Sequence, residues 1–80
     1  MNIQIKKNND IKVEISGISE IDGAVFEAQG KKKTLGDGIE QKNGAFFIKN
    51  DLTGTSPFKL TLTINGIELQ PITGTVEVIE

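Results

Sequence analysis

The side chains of this chain that could carry chemistry are hydroxyls, carboxylates and lysines, because imidazole and thiol groups are missing. The 80 residues include no His and no Cys, so no serine has an imidazole base and no thiolate can act as nucleophile or zinc ligand. Ser56 and Lys59 form a conceivable serine–lysine pair, but nothing in the sequence indicates that Lys59 is activated as a base. We therefore expect no catalytic residues and no enzymatic activity.

Two groups of oxygen-bearing side chains invite comparison with calcium sites. Asp37 and Glu40 form one group, and Asp51, Thr53 and Thr55 form the other. Calcium takes six to eight oxygen ligands, and its common loop has the spacing D-x-[DN]-x-[DN]-G. Neither group has that spacing, so ordinary turn chemistry accounts for both. The sequence predicts no metal site and no cofactor.

The run Lys31-Lys32-Lys33 is the one cluster of like charge, and all three lysines are candidate interaction residues. Such a run suits a phosphate backbone or an acidic partner. The chain has no Arg, its net charge is −2, and no aromatic side chain lies within the run to stack on a base. These features argue against nucleic acid. The polar segment Gly30 to Gly38 predicts a solvated loop around the lysines.

Phe47 is the other candidate interaction residue. Consecutive residues of a strand point to opposite faces of the sheet. If Phe46 lies in the core, Phe47 therefore faces outward, where a partner, a second subunit or a covering loop would bury it. We expect Phe47 to contact a partner.

The elements that carry these residues are short strands, since apolar and polar residues alternate along most of the chain and no helical period persists. The clearest example is Ile11 to Ser16, and Asn8-Asn9-Asp10 before it is a turn cluster. The alternation predicts these core residues: Ile5, Ile11, Val13, Ile15, Phe26, Ala28, Ile39, Phe46, Ile48, Phe58, Leu60, Leu62, Ile64, Ile72, Val76 and Val78.

Two Asn-Gly pairs predict tight hairpins, because Asn and Gly accept the positive φ that a type I′ turn needs at both central positions. Asn43-Gly44 pairs Lys42 with Ala45, Gln41 with Phe46 and Ile39 with Ile48. Asn65-Gly66 pairs Ile64 with Ile67 and Leu62 with Leu69. Pro71 then predicts an edge position or a bend between strands.

Seven or eight such strands, separated by turns, predict an all-β fold. We expect residues 1–80 to form one antiparallel β-sandwich. A domain of this size has a thin stability margin, so a homo-oligomer is a reasonable expectation. The strands Ile3 to Lys6 and Ile72 to Val78 are expected at sheet edges, where they can add to a partner's sheet.

The order of short motifs along nearly the whole chain adds a family resemblance. The motifs are Ile3 to Lys6, Ile11 to Ile15, Asp22 to Gln29, Gly38 to Glu40 with Asn43 to Phe46, Phe58 to Ile64, and Thr73 to Val78. In this order they resemble the small immunoglobulin-like β-sandwich domains of tailed-phage structural proteins, including the N-terminal domain family of phage baseplate upper proteins. The resemblance implies an immunoglobulin-like sandwich with no cofactor and no catalytic residues.

The resemblance implies a structural or assembly module of a phage or prophage particle, in the tail, baseplate or head surface. Its partners would be other phage structural proteins or copies of itself, and it would reside in the virion or the host cytoplasm. We expect no membrane partner and no signal peptide, because no apolar run of either length occurs. The alternative is a free cytoplasmic binding or regulatory module that contacts a host protein or nucleic acid through Lys31 to Lys33.

Overall fold

The computed structural model describes residues 2–14, 21–42 and 45–80, and within these ranges it contains strands and no helix. Nine strands lie within these ranges. They are β1 (Asn2–Lys6), β2 (Ile11–Glu14), β3 (Gly23–Ala28), β4 (Lys31–Leu35), β5 (Gly38–Lys42), β6 (Ala45–Ile48), β7 (Thr55–Ile64), β8 (Ile67–Glu68) and β9 (Ile72–Ile79).

The strands form a single hydrogen-bonded sheet that curls until it is nearly closed. Its order is β1-β9-β7-β3-β4-β5-β6-β2, and β8 pairs with β7 beside this path. The two end strands, β1 and β2, are joined by the short turn at residues 7–10, in which Asn8 has a φ of 72° and Asn9 N–H donates to Lys6 O. The all-β prediction is confirmed.

Strand direction and edge position differ from the prediction at two places. The sheet is mixed, because β1 runs parallel to β9 and β4 runs parallel to β5. The strand β9 is interior, with Val76 placed between Ile3 of β1 and Ser56 of β7. The prediction that Ile72 to Val78 forms an edge is therefore wrong, whereas β1 does end the sheet.

The predicted loop from Gly30 to Gly38 is wrong as well, because Lys31, Lys32 and Lys33 lie in β4. Gln29 and Gly30 have φ values of 53° and 72°, the left-handed pair that a two-residue hairpin turn needs. The turn lets Ala28 pair with Lys31 and continues the ladder through the lysines. Sequence reasoning missed it because glutamine is an unusual first residue for such a turn, and β4 raises the strand count to nine.

Both predicted hairpin registers are confirmed. In the first, the pairs are Lys42–Ala45, Gln41–Phe46 and Ile39–Ile48; the tip Asn43-Gly44 lies outside the described residues. In the second, Ile64 pairs with Ile67, and Leu69 N–H donates to Leu62 O at 2.8 Å. Asn65 and Gly66 have φ values of 52° and 77°. Pro71 lies between β8 and β9, directly before β9 begins.

The core fills the inner face of the curled sheet. Ten of the predicted core residues are buried: Ile11, Phe26, Ala28, Ile39, Phe46, Ile48, Phe58, Leu60, Leu62 and Val76. Five others pack half-buried against them: Ile5, Val13, Ile64, Ile72 and Val78. Ile15 lies outside the described residues. The buried residues that the pattern did not predict are Ile21, Ala24, Ala45 and Leu52.

Candidate functional site

The two predicted interaction surfaces, the lysine run and Phe47, lie on different parts of the curled sheet. The lysines are on β4, which pairs with β3, whereas Phe47 is on β6 between β2 and β5. The sheet therefore does not bring them together into one site, and each surface is considered by itself.

Lys31 and Lys33 belong to the side of β4 that faces the interior. They pair with Ala28 and Phe26, both of which are buried. At this end of the sheet their ammonium groups reach the residues between β6 and β7, which we call the 49–54 connector. Long lysine stems commonly lie along apolar surface in this way while the charge reaches a polar partner.

Asp51 of the connector accepts a hydrogen bond from each of these two lysines. Lys33 Nζ lies 2.7 Å from Asp51 Oδ2, and the Lys33 side chain is only 17% exposed. Lys31 Nζ donates to the Asp51 backbone carbonyl at 2.8 Å and lies 3.9 Å from its carboxylate. The hydrogen bond from Lys33 is the main reason that the pKa of Asp51 lies below its usual value. Two of the three lysines therefore bind a residue of the domain itself, Asp51.

Gln29 fastens the same connector from the β3–β4 turn. Its side-chain amide donates to the Thr53 carbonyl oxygen and to Ser56 Oγ, and its amide oxygen accepts from Thr53 N–H at 3.3 Å. Leu52 lies between these contacts and is buried against the core. The connector thus closes one end of the sheet.

Lys32 is exposed, as Lys31 is, but it lies on the outer face of the strand. It points away from Lys31 and Lys33, because neighbours in a strand alternate between faces. Its cross-strand neighbour is Glu27, a carboxylate directly opposite. The surface around Lys32 is therefore a mixed-charge face and lacks the concentrated positive charge that favours binding to a polyanion.

Phe47 lies on the outer face, as predicted from its neighbour Phe46, which is buried in the core. It is half-buried, with Lys12 of β2 on one side and Glu40 of β5 on the other. The ring lines a shallow groove of about 340 Å³. The other residues of this groove are Asp10, Gly36, Gly38, Glu40 and Lys49.

Two short ion pairs along β2 and β5 lie on the same outer face as Phe47. Lys12 Nζ lies 2.9 Å from Glu14 Oε1, and this hydrogen bond lowers the pKa of Glu14. Lys42 Nζ lies 3.4 Å from Glu40 Oε2. Both pairs are well exposed, and exposed pairs contribute little to stability. The feature that sets this face apart is therefore the aromatic ring.

The candidate catalytic and metal groups are not assembled in the described part of the chain. Ser56 lies on the inner side of β7 and accepts a hydrogen bond from Gln29, whereas Lys59, an odd number of residues later, points to the outer side. Within residues 2–14, 21–42 and 45–80, no three metal-binding side chains form a group. The odd spacing of Ser56 and Lys59 was the sequence signal against that pair.

Sequence reasoning predicted the β7–β8 hairpin but did not identify the exposed apolar side chains that it carries. Ile67 and Leu69 at this hairpin are 66% and 37% exposed. The signal was present in the predicted register, because the returning segment Ile67-Glu68-Leu69 is short and both of its apolar residues were paired at the hairpin end. Asp22, which precedes β3, accepts a hydrogen bond from Gly66 N–H at the tip.

No helix in the described ranges has the length and apolar character needed to cross a membrane. Comparison of the chain with protein-family profiles, curated proteins and solved structures finds no match.

Proposed function

We propose that this domain is a non-enzymatic structural or assembly module of a phage or prophage particle, acting through protein–protein contacts of the Phe47 face. The Phe47 face comprises the outer sides of β2, β5 and β6 with the groove beside Phe47. Its partners are other structural proteins of the particle or further copies of the chain. The domain resides in the tail, baseplate or head surface of the virion, or in the host cytoplasm before assembly.

The position of Phe47 carries this proposal. The chain has four aromatic residues, all Phe, and Phe26, Phe46 and Phe58 are buried in the core. Phe47 is thus the aromatic side chain left on the outside, where it adjoins a groove. Aromatic residues supply much of the binding energy at protein interfaces. A modest contact of this kind suffices in a particle, because repeated copies add their affinities through multivalency.

The order of neighbouring strands supports the finer description as an immunoglobulin-like sandwich. The strands β9, β7, β3 and β4 adjoin in the order G-F-C-C′, and β2, β6 and β5 adjoin in the order B-E-D of variable-type immunoglobulin domains. Among the described residues, the strand pairs that join the two groups are Thr34–Gly38 and Leu35–Ile39 alone. We therefore interpret the curled sheet as two layers connected at one narrow joint.

The alternative function, binding of a host protein or nucleic acid through Lys31, Lys32 and Lys33, has less support. Lys31 and Lys33 bind Asp51, and releasing them for a ligand would break the contacts that hold the 49–54 connector. Lys32 lies opposite Glu27, which has Lys59 as its other cross-strand neighbour, so charges of both signs alternate along this row. A salt-titrated nucleic-acid binding assay tests this alternative: an affinity that is sensitive to salt and lost in Lys32→Glu would favour it over the assembly module.

Co-sedimentation with particles produced by the phage or prophage that encodes the chain tests the proposed function. We expect the parent protein in the particle fraction and Phe47→Ser in the free fraction, because serine keeps the strand but removes the ring. Val25→Ser is the matched control, since Val25 is also half-buried on an outer face, between Thr34 and Thr61. Particle association of a folded Phe47→Ser protein equal to that of the control would overturn the proposal.

A further inference from the structure

The tip of the β7–β8 hairpin combines an exposed asparagine with a glycine that follows it. Asn65 and Gly66 are both exposed and both have positive φ. In an Asn-Gly pair, the backbone nitrogen of the glycine is the least hindered nucleophile for the asparagine side chain, because glycine has no Cβ. The sequence and the exposure of this tip therefore allow an intramolecular reaction.

We propose that Asn65 is a site of spontaneous deamidation and that the Asp22 carboxylate controls its rate. In the reaction, Gly66 N loses its proton and bonds to Asn65 Cγ, while the Cγ–Nδ2 bond breaks and ammonia leaves with the proton. The product is a five-membered succinimide. Water then opens either of its carbonyl groups, which gives aspartate or isoaspartate at position 65. The reactants are the chain and solvent water alone.

The hydrogen bond from Gly66 N–H to Asp22 Oδ2, at 2.9 Å, opposes the first step. The bond engages the proton that must leave and holds the nitrogen in the hairpin geometry. The backbone of Asp22 is itself held, because its N–H donates to the Thr63 carbonyl at 2.8 Å. A hydrogen bond to a charged acceptor is among the stronger ones in proteins. The hydrogen bond to Asp22 therefore slows the modification.

The modification changes the hairpin that presents Ile67 and Leu69. Isoaspartate adds a methylene to the backbone, and a two-residue turn with fixed φ values cannot absorb it without moving the adjoining pair Ile64–Ile67. Aspartate instead adds a carboxylate to a tip that already binds Asp22, and like charges repel. Either product loosens the turn, so the exposed apolar end of the domain changes as the protein ages.

Peptide mapping of the intact protein after incubation at neutral pH tests this inference, with isoaspartate detected by enzymatic methyl transfer. The parent and Asp22→Ala proteins are compared at Asn65. We expect Asp22→Ala to deamidate there about tenfold faster, because a hydrogen bond to a charged acceptor no longer has to be broken first. Asn43-Gly44 in the same molecule is the internal reference for changes in global unfolding.

The outcomes separate the effect of the Asp22 hydrogen bond from that of a general loss of stability. Faster modification of Asn65 with an unchanged rate at Asn43 supports the proposal. Equal acceleration at both asparagines would show that unfolding, and not the hydrogen bond to Gly66, sets the rate, and would overturn it. An unmodified Asn65 in both proteins, or slower modification in Asp22→Ala, would overturn it as well. The test does not involve particles, so it is independent of the proposed function.

Discussion

Lys33 Nζ donates to Asp51 Oδ2 at 2.7 Å, and this contact ties β4 to the 49–54 connector at the closed end of the sheet. The lysine reaches the aspartate from the inner side of its strand, because Lys33 pairs with the buried Phe26. The sequence suggests that Lys33 is an exposed surface cation, but its contact with Asp51 helps to close the core. Its neighbour Lys32 lies on the other side of the same strand and provides a natural comparison.

Lys33→Met removes the ammonium group but keeps most of the apolar stem. We expect it to lower the free energy of unfolding by about 1 kcal/mol, the size of a charge-assisted bond that is partly exposed. Lys32→Met on the outer face should change it by less than about 0.5 kcal/mol. Chemical denaturation measures both, and equal effects of the two substitutions would contradict a structural role for Lys33.

Acid should weaken the same contact. The pKa of Asp51 lies below its usual value of 3.8, chiefly because of the hydrogen bond from Lys33. A lowered folded-state pKa means that the ionised form stabilises the fold above the unfolded pKa, and this contribution disappears as pH falls through the folded pKa. The stability difference between the parent and Asp51→Asn should stay constant above about pH 5 and shrink below about pH 4. A difference that does not depend on pH would refute this assignment.

The sequence predicted the parts of the fold that depend on local chemistry. Asn65-Gly66 and the alternation beside it placed Ile64 opposite Ile67, since turn type and hydrophobic face both specify that register. The outward direction of Phe47 followed from the burial of its neighbour Phe46. Such predictions succeed because they need only the conformations of adjacent residues.

Apart from the β3–β4 hairpin, whose turn has an unusual first residue, the parts that the sequence did not predict depend on contacts between distant residues. Lys33 and Asp51 are 18 residues apart and meet only because the connector folds back over β4. The parallel pairing of β1 with β9 joins opposite ends of the chain and has no local signal. Leu52 is isolated among polar residues, so no alternating pattern marks it as buried.

Gly38 is a second test of the Lys33 position. Its φ is 98°, and a Cβ there would lie 2.5 Å from Lys33 Cδ, whereas Gly36, with a φ of 89°, has open space around it. Gly36→Ala should therefore cost only the backbone strain of about 1–2 kcal/mol. Gly38→Ala should cost about 1 kcal/mol more, because the Lys33 stem must move and its bond to Asp51 is lost.

Truncation of Lys33 tests whether its side chain causes the extra destabilisation expected of Gly38→Ala. In a Lys33→Ala background, most of the extra cost of Gly38→Ala over Gly36→Ala should disappear, because Lys33 Cγ and Cδ are absent and only its Cβ, at 3.2 Å, still lies close to the added methyl group. Denaturant titration of the parent, Lys33→Ala, Gly38→Ala and the double variant gives the coupling energy between positions 33 and 38. A coupling energy of zero would mean that Lys33 does not lie over Gly38 in solution.

Phe46 and Phe47 are adjacent in sequence but lie on opposite faces, so their truncation should separate stability from assembly. Phe46 is 2% exposed within the core, and Phe46→Ala should destabilise the fold by about 3–5 kcal/mol, enough to unfold a small domain. Phe47→Ala should cost about 1 kcal/mol, because its ring is only half-buried on the outer face. Thermal unfolding measures both. If Phe47→Ala were as unstable as Phe46→Ala, the outer ring would be needed for folding. Unfolding alone would then explain a loss of particle association in Phe47→Ser, and no interface at Phe47 would be required.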